Sequence, residues 1–105
     1  MNELQNIKKY LIVSGFPMRK YNVDYIAESI LILNKNPRIN MQKLLKTIAD
    51  NNNTSISSVE HVINYSIKND WCNTTFCEYT KKTTVSVALH IINLLYTCAN
   101  SQDIK

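Results

Sequence analysis

Apolar residues recur every three or four positions along nearly the whole chain, which is the spacing of one face of an α-helix. Five such stripes predict five helices, and their first apolar members are Leu4, Val23, Met41, Ile56 and Val85. Apolar and polar residues alternate, as is typical of a strand, only over residues 83–87, and this stretch leads directly into a helical pattern. We therefore predict an all-α fold, a compact five- to six-helix domain that covers residues 1–105.

The residues that separate these stripes fit helix ends. Gly15 is placed to end the first helix. Asn22 is expected to cap the second helix and Asn40 the third, because a short polar side chain can accept a hydrogen bond from a free amide of the first turn. For the fourth helix, Ser57 opens a capping-box pattern, and Ser55 fits the cap equally well.

Composition narrows the range of functions. The chain holds 12 Lys and Arg against 8 Asp and Glu, a net charge of +4 with a pI near 9.0, and 45% of its residues are hydrophobic. Its single glycine excludes the glycine-rich loops that hold nucleotide phosphates. The acidic residues are scattered, and His61 and His90 stand in no spacing typical of a catalytic set. We therefore expect a protein that is not an enzyme and needs no cofactor.

The sequence has no pattern typical of a targeting or membrane-spanning segment. No apolar run reaches the roughly 18 residues that a membrane span requires. The first ten residues lack the charged and then apolar plan of a signal peptide. We expect a cytoplasmic protein without a membrane partner.

Three cysteines are an odd number, which argues against a disulfide framework. In a reducing cytoplasm, Cys72, Cys77 and Cys98 are expected to be small buried hydrophobic side chains. The spacing of Cys72 and Cys77 lies within the range of zinc sites without being distinctive, and buried thiols are the more common case, so we expect no metal. His90 stands in an apolar helix, where a core or boundary position is expected.

The third and fourth helices carry the spacing of a helix-turn-helix motif over about residues 41–71. Such a motif needs a small residue in the first helix, a residue that tolerates the left-handed conformation in the turn, and branched apolar residues inside the second helix. Ala49, Asn53, Val59 and Val62 meet these three requirements in order. Any hairpin of two helices meets part of the same pattern.

The outer face of the fourth helix, about residues 56–70, is the surface that a DNA major groove would meet. Its predicted base-reading residues are Ser58, Glu60, His61 and Asn64. Asparagine can bind adenine through two hydrogen bonds, and glutamate can accept one from cytosine. The alternative is an ordinary solvated helix face, and the lack of arginine counts against DNA, because arginine on guanine is the commonest specific contact.

Three motifs at matching spacing resemble a known family of DNA-binding domains. They are Gly15-Phe16-Pro17 after the first helix, Tyr25-Ile26-Ala27-Glu28-Ser29-Ile30 in the second, and Asn53-Thr54-Ser55-Ile56-Ser57-Ser58-Val59-Glu60-His61 running on towards Trp71. Over residues 4–98 the chain resembles the C-terminal effector domain of the sporulation master response regulator, the stage 0 sporulation protein A family. The resemblance implies a six-helix, all-α, DNA-binding domain that acts in sporulation or stationary-phase control.

The chain departs from that family at the residues that would read bases. Ser58 and His61 stand where the family carries arginines, Asn64 replaces the next arginine along the helix, and Glu60 alone remains of the usual set. Each lost arginine removes up to about 1–3 kcal/mol of discrimination in favour of guanine. The family also places a phosphoacceptor receiver domain in front of this one, so we expect a stand-alone effector domain that phosphorylation does not switch in the usual way.

The resemblance therefore implies a sequence-specific transcription regulator that binds double-stranded DNA as a dimer or tandem array. Phosphates would be held by the N-terminal amides of the fourth helix and by Lys43, Lys46, Ser55, Ser57, Tyr65, Lys68, Lys81 and Lys82. The last helix, apolar on nearly all sides over residues 85–95, is expected to lie partly in the core and partly in a homodimer interface.

The lost arginines also support a second hypothesis. A related domain without them can act as a protein-interaction antagonist that pairs with a full-length regulator of the same family, or with RNA polymerase, without binding specific DNA. Both hypotheses stay open at the level of sequence.

Overall fold

The apolar stripes fold as helices in the computed structural model, which describes residues 2–103 and the side chains of residues 2–99. Within that range there are five α-helices and no strand, which confirms the predicted all-α class. The helices are α1 (Glu3–Ser14), α2 (Asn22–Lys35), α3 (Met41–Asn51), α4 (Ile56–Asp70) and α5 (Val85–Asp103). Two short 3-10 helices, Trp71–Asn73 and Thr75–Glu78, lie between α4 and α5.

Helix α2 lies at the centre of the fold and contacts each of the other four α-helices. Its buried apolar side chains meet those of α1, α3, α4 and α5 in one continuous core. Fully buried members come from every helix and include Ile7, Ile26, Leu44, Ile63 and Ile92. Removal of this apolar surface from water is the main stabilising contribution to the fold.

Gly15 ends α1, as predicted, and no other residue type fits its position. Its φ of +122° lies in the region that side-chain-bearing residues rarely adopt. A Cβ atom there would also lie 2.5 Å from the carbonyl oxygen of Asn73. The glycine therefore lets the end of α1 pack directly against the segment that follows α4.

Two of the expected N-caps are confirmed and one is wrong. The side chain of Asn40 accepts a hydrogen bond from the amide of Lys43, and that of Ser55 accepts one from the amide of Ser58. Ser55 is therefore the cap of α4. Asn22 does not cap α2, because it is the first residue inside the helix and its side chain is buried among tertiary partners.

The predicted burial of the cysteines and of His90 is wrong. Cys72 and Cys98 are exposed, and Cys77 is half-buried. Burial raises the pKa of the Cys77 thiol, and a hydrogen bond with Cys72 adds to this effect. His90 is exposed with its Nδ1 atom 2.7 Å from the carbonyl oxygen of Ser86. Cys72, Cys98 and His90 lie on outward faces, because other side chains of their segments fill the core, whereas Cys77 packs against the edge of the core.

Over the described part of the chain, no group of three or more potential ligand residues (His, Cys, Asp or Glu) could hold a metal ion. None of the helices in that same part is both long and apolar enough to cross a membrane.

Candidate nucleic-acid interface

A tight turn joins α3 to α4, and three of the four residues in the predicted spacing pattern adopt the expected environment. Asn53 has a φ of +54°, the left-handed conformation for which asparagine was expected there. Ala49 is buried at the end of α3 and Val59 at the start of α4, whereas Val62 of α4 is only half-buried and faces the loop after α1. On the far side of the turn, the Asn52 side chain donates a hydrogen bond of 2.7 Å to the carboxylate of Glu28 in α2.

The outward face of α4 is a stripe of polar side chains. Ser57, His61, Asn64 and Lys68 are all exposed and follow one another at intervals of four, three and four residues, which places them in line along the helix. The exposed residues beside this stripe are Ser58, Glu60 and Tyr65. The Ser58 hydroxyl accepts a hydrogen bond of 2.9 Å from Ser55, so it is held against the N-terminal cap.

On one side of this stripe lies a groove of about 660 Å³ between α4 and the segment that precedes α5. Asn64 and Lys68 line it from α4, and Lys81 and Lys82 line it from the preceding segment. Four residues that the sequence proposed separately as DNA contacts therefore share one groove. We refer to Lys68, Lys81 and Lys82 as the lysine flank.

An aromatic cluster holds the lysine flank at this position. The indole nitrogen of Trp71 donates a hydrogen bond of 2.7 Å to the carbonyl oxygen of Thr80. The buried Trp71 ring also stacks on Phe76, at a centroid distance of 5.7 Å, and Phe76 packs on Phe16 after α1. The chain between α4 and α5 is thus anchored immediately before Lys81 and Lys82.

A second basic pair, which sequence reasoning missed, lies on the opposite side of the stripe. Arg19 and Lys20, in the loop between α1 and α2, line a cavity of about 360 Å³ together with His61 and Tyr65 of α4. The Arg19 guanidinium lies over the Tyr65 ring, 5.4 Å from its centroid. We refer to Arg19 and Lys20 as the arginine flank.

A polar network buried under α4 fixes the arginine flank. Arg19 forms an ion pair with Asp70, whose side chain is only 1% exposed, and the same carboxylate oxygen accepts a hydrogen bond of 2.9 Å from Ser66. The hydrogen bond with Asp70 raises the pKa of the Arg19 guanidinium. The second carboxylate oxygen of Asp70 is buried without a hydrogen-bond partner among the described residues. The network thus holds the Arg19 side chain at the edge of α4.

Asn22 extends this network to the loop itself. Its side-chain oxygen accepts a hydrogen bond of 2.9 Å from the Arg19 amide, and its side-chain nitrogen donates to the carbonyl oxygen of Pro17 and to Ser66. The residue expected to cap α2 thus shapes the loop that presents Arg19. A basic pair one residue after Gly15-Phe16-Pro17 is the one sequence signal that points to this loop.

The remaining predicted residues are less closely grouped. Glu60 lines a small cavity of about 200 Å³ with Gln42, Asn64 and the start of α5. Lys43 and Lys46 lie on the exposed face of α3, opposite its buried side chains, and do not line the groove of the lysine flank. Lys46 is 3.5 Å from Asp50, an exposed ion pair that contributes little stability.

Comparisons with family models, with curated proteins and with solved structures found no match to this chain. The resemblance to sporulation effector domains therefore stays a prediction from the sequence motifs.

Proposed function

We propose that this chain is a sequence-specific DNA-binding transcription regulator that inserts α4 into the major groove of double-stranded DNA. The observation that carries the proposal is the polar stripe of α4 lying between two basic flanks. A major groove about 12 Å wide admits one α-helix and has a phosphate backbone on each side. A polar helix with cations on both edges is complementary to that arrangement.

In this proposal the outward side chains of α4 read base edges. Asn64 suits adenine, whose N6 and N7 atoms match an amide, and Glu60 suits the amino group of cytosine. Ser58 and His61 complete the reading set from the N-terminal half of the helix. Since no arginine lies on this face, we expect an operator poorer in directly read guanine than one read by arginines.

The two flanks would hold the two phosphate backbones. The lysine flank would bind one strand, and Lys20, together with the exposed part of Arg19, would bind the other. The free amides at the start of α4, with Ser57 beside them, suit a further phosphate, as does the Tyr65 hydroxyl. Ser55 would act through its amide, because its side chain already caps α4, and Lys43 and Lys46 would contribute from the outer face of α3.

Selection of bound sequences from a random duplex pool at two salt concentrations tests the proposal. We expect one enriched motif and an affinity that falls steeply as salt rises, since released counterions drive phosphate binding. Weak binding at low salt without any enriched motif would contradict sequence-specific recognition.

Two sets of variants assign the roles. The double variant Glu60→Ala/Asn64→Ala is expected to lower affinity for the selected motif by about 1–3 kcal/mol per lost base contact. Lys82→Ala is expected to weaken binding to all sequences and to reduce the salt slope by about one unit. Lys35→Ala is the matched control, because Lys35 is also exposed but lies at the end of α2. Its neighbour Asn34 contacts Thr97 towards the C-terminal end of α5, away from both flanks. Unchanged sequence preference in the double variant would refute base reading by α4.

A second candidate function, a protein-interaction antagonist, is favoured by a different observation. Ile12, Val13 and Met18 form an apolar patch in a groove of about 560 Å³ beside α1, whose rim is polar and charged, and Val13 and Met18 are each 77% exposed. Apolar surface of this kind is typical of protein contacts. An antagonist would retain a full-length regulator or RNA polymerase in DNase-treated lysate, and Val13→Glu would release it. A plain DNA-binding protein would retain neither.

A further inference from the structure

The outward face of α5 carries an apolar stripe with the spacing of a coiled coil. Val87, Ile91, Leu94 and Cys98 follow one another at intervals of four, three and four residues, the alternation of the d and a positions of a heptad. Val87 is 50% exposed, Leu94 is 64% exposed, Cys98 is exposed and Ile91 is half-buried. We call these four residues the α5 seam.

The core uses little of the α5 seam, because a different face of the helix is buried and only Ile91 of the seam packs against the core. Ala88, Leu89, Ile92 and Tyr96 fill the contact of α5 with the rest of the protein. The exposed Tyr79 lies beside the end of the seam, in a cavity that it shares with Cys98. The Tyr79 ring thus extends the apolar surface at this end of the seam, and Glu78 lines the same cavity.

The chemistry of α5 suits pairing with itself. No Asp, Glu, Lys or Arg occurs between Val85 and Gln102, and the seam is flanked by His90 and Thr97. Charged flanking residues select unlike partners in coiled coils and repel identical ones when they carry like charge. Two copies of α5 bring together apolar seams without opposing charges.

We propose that the α5 seam is a homodimer interface in which the α5 helices of two copies pack antiparallel. The orientation follows from the lysine flank, which lies at the N-terminal end of α5. A parallel pair would bring both lysine flanks to the same end, where they repel, whereas an antiparallel pair separates them. Antiparallel packing places Cys98 against Val87 of the second copy and Ile91 against its Leu94.

The same arrangement gives a geometric reason for a palindromic operator, a step that rests on the proposed DNA binding. In the register that places Cys98 against Val87, position 85 of one copy lies opposite position 100 of the other, so the N-terminal ends of α5 are about 22 Å apart along the helix axes. The two-fold axis of this pair also relates the two α4 helices, and a palindromic operator has the same symmetry. The pairing itself is independent of DNA, and experiments without DNA therefore test it separately.

Sedimentation equilibrium of the full chain without DNA tests the interface. We expect a concentration-dependent dimer that Leu94→Glu converts to a monomer with an unchanged helical spectrum. Lys9→Glu, the control on the exposed face of α1, is expected to remain dimeric. A wild-type chain that is monomeric up to about 1 mM would overturn the proposal, as would a Leu94→Glu variant that still dimerises.

Cross-linking with a short bismaleimide tests the orientation. In a Cys72→Ala/Cys77→Ala background, Cys98 is the remaining thiol, and the antiparallel pair holds the two copies of Cys98 apart. We expect little cross-linked dimer in that background and rapid cross-linking after Val87→Cys is added. Rapid cross-linking through Cys98 alone would overturn the antiparallel arrangement.

Discussion

Helices α4 and α5 bury comparable inner faces and present very different outer ones. Both contact α2, and each contributes fully buried isoleucine to the core, Ile63 from α4 and Ile92 from α5. Outside, α4 exposes hydrogen-bonding side chains between two basic flanks, whereas α5 exposes the apolar seam. Their undersides differ as well, since α4 rests partly on the polar network around Asp70.

This difference separates the residues that stabilise the fold from those that choose partners. Core packing constrains only the inner stripe of each helix, so the outer stripe is free to vary in chemistry. A polar stripe edged with cations suits DNA, and an uncharged apolar stripe suits a second copy. The two proposed interfaces use opposite chemistry and can therefore be changed independently.

The largest expected effects come from the inner faces, and they should be alike in the two helices. Ile63→Ala and Ile92→Ala are each expected to lower the free energy of unfolding by about 2–5 kcal/mol, because each leaves a cavity in the core. Asn64→Ala is exposed on α4 and should change it by less than about 0.5 kcal/mol. Urea titrations followed by circular dichroism measure all three. A large loss of stability in Asn64→Ala would contradict the division into inner and outer faces.

An intermediate effect is expected from the polar network that only α4 possesses. Asp70→Ala removes the partner of Arg19 and leaves Ser66 buried with one hydrogen bond fewer. We expect it to lower the free energy of unfolding by about 2–3 kcal/mol. The cost stays below that of a fully buried pair because Arg19 is 43% exposed and can be hydrated. Thermal unfolding gives the stability.

The same variant links the network to the interface. Because Asp70 holds Arg19 at the edge of α4, Asp70→Ala is also expected to weaken DNA binding under conditions in which the variant is folded. Full affinity in a folded Asp70→Ala protein would show that the arginine flank is dispensable.

The smallest expected effect is a loss of stability at high pH that involves Tyr10, which packs against the inner face of α5. Tyr10 packs edge-on against Tyr96 of α5, and burial raises the pKa of Tyr10 above its ordinary value of 10.0. As pH rises, the Tyr10 hydroxyl therefore loses its proton in the unfolded chain before it does so in the folded protein. The contribution of Tyr10 to the free energy of unfolding is present below about pH 10 and is lost as pH rises further. Urea midpoints at about pH 8 and about pH 11 should differ less in Tyr10→Phe than in the wild type. An identical decrease in both would exclude this role for Tyr10.

Helices and their ends were predictable because local spacing encodes them. Gly15, Asn40 and Asn53 do what their residue types favour, since a helix stop, a cap and a left-handed turn each involve only a few neighbouring residues. The position of α4 and the exposure of its polar face were predictable for the same reason: a period of 3.6 residues sorts side chains into two faces.

The predictions that were wrong all concern which surface a side chain meets across the fold. Asn22 has the residue type of a cap, but tertiary packing places Ser66 within hydrogen-bonding distance of its side chain. Cys98 and His90 lie in an apolar helix, yet the core covers only one side of it. The type of a residue indicates which local conformations and environments suit its side chain. It does not indicate which distant residues contact that side chain in the folded protein.

Short-range periodicity thus settled the helical class, most of the helix ends and the outward residues of α4, since these depend on backbone geometry within one or two turns. Tertiary packing alone brought Arg19 to the edge of α4, through an ion pair with a residue 51 positions away in the chain. Tertiary packing also brought the three lysines of the lysine flank to one groove and left most of the α5 seam exposed to solvent. Contacts between residues distant in the chain depend on how the helices pack together, and the local spacing of apolar residues does not determine that packing.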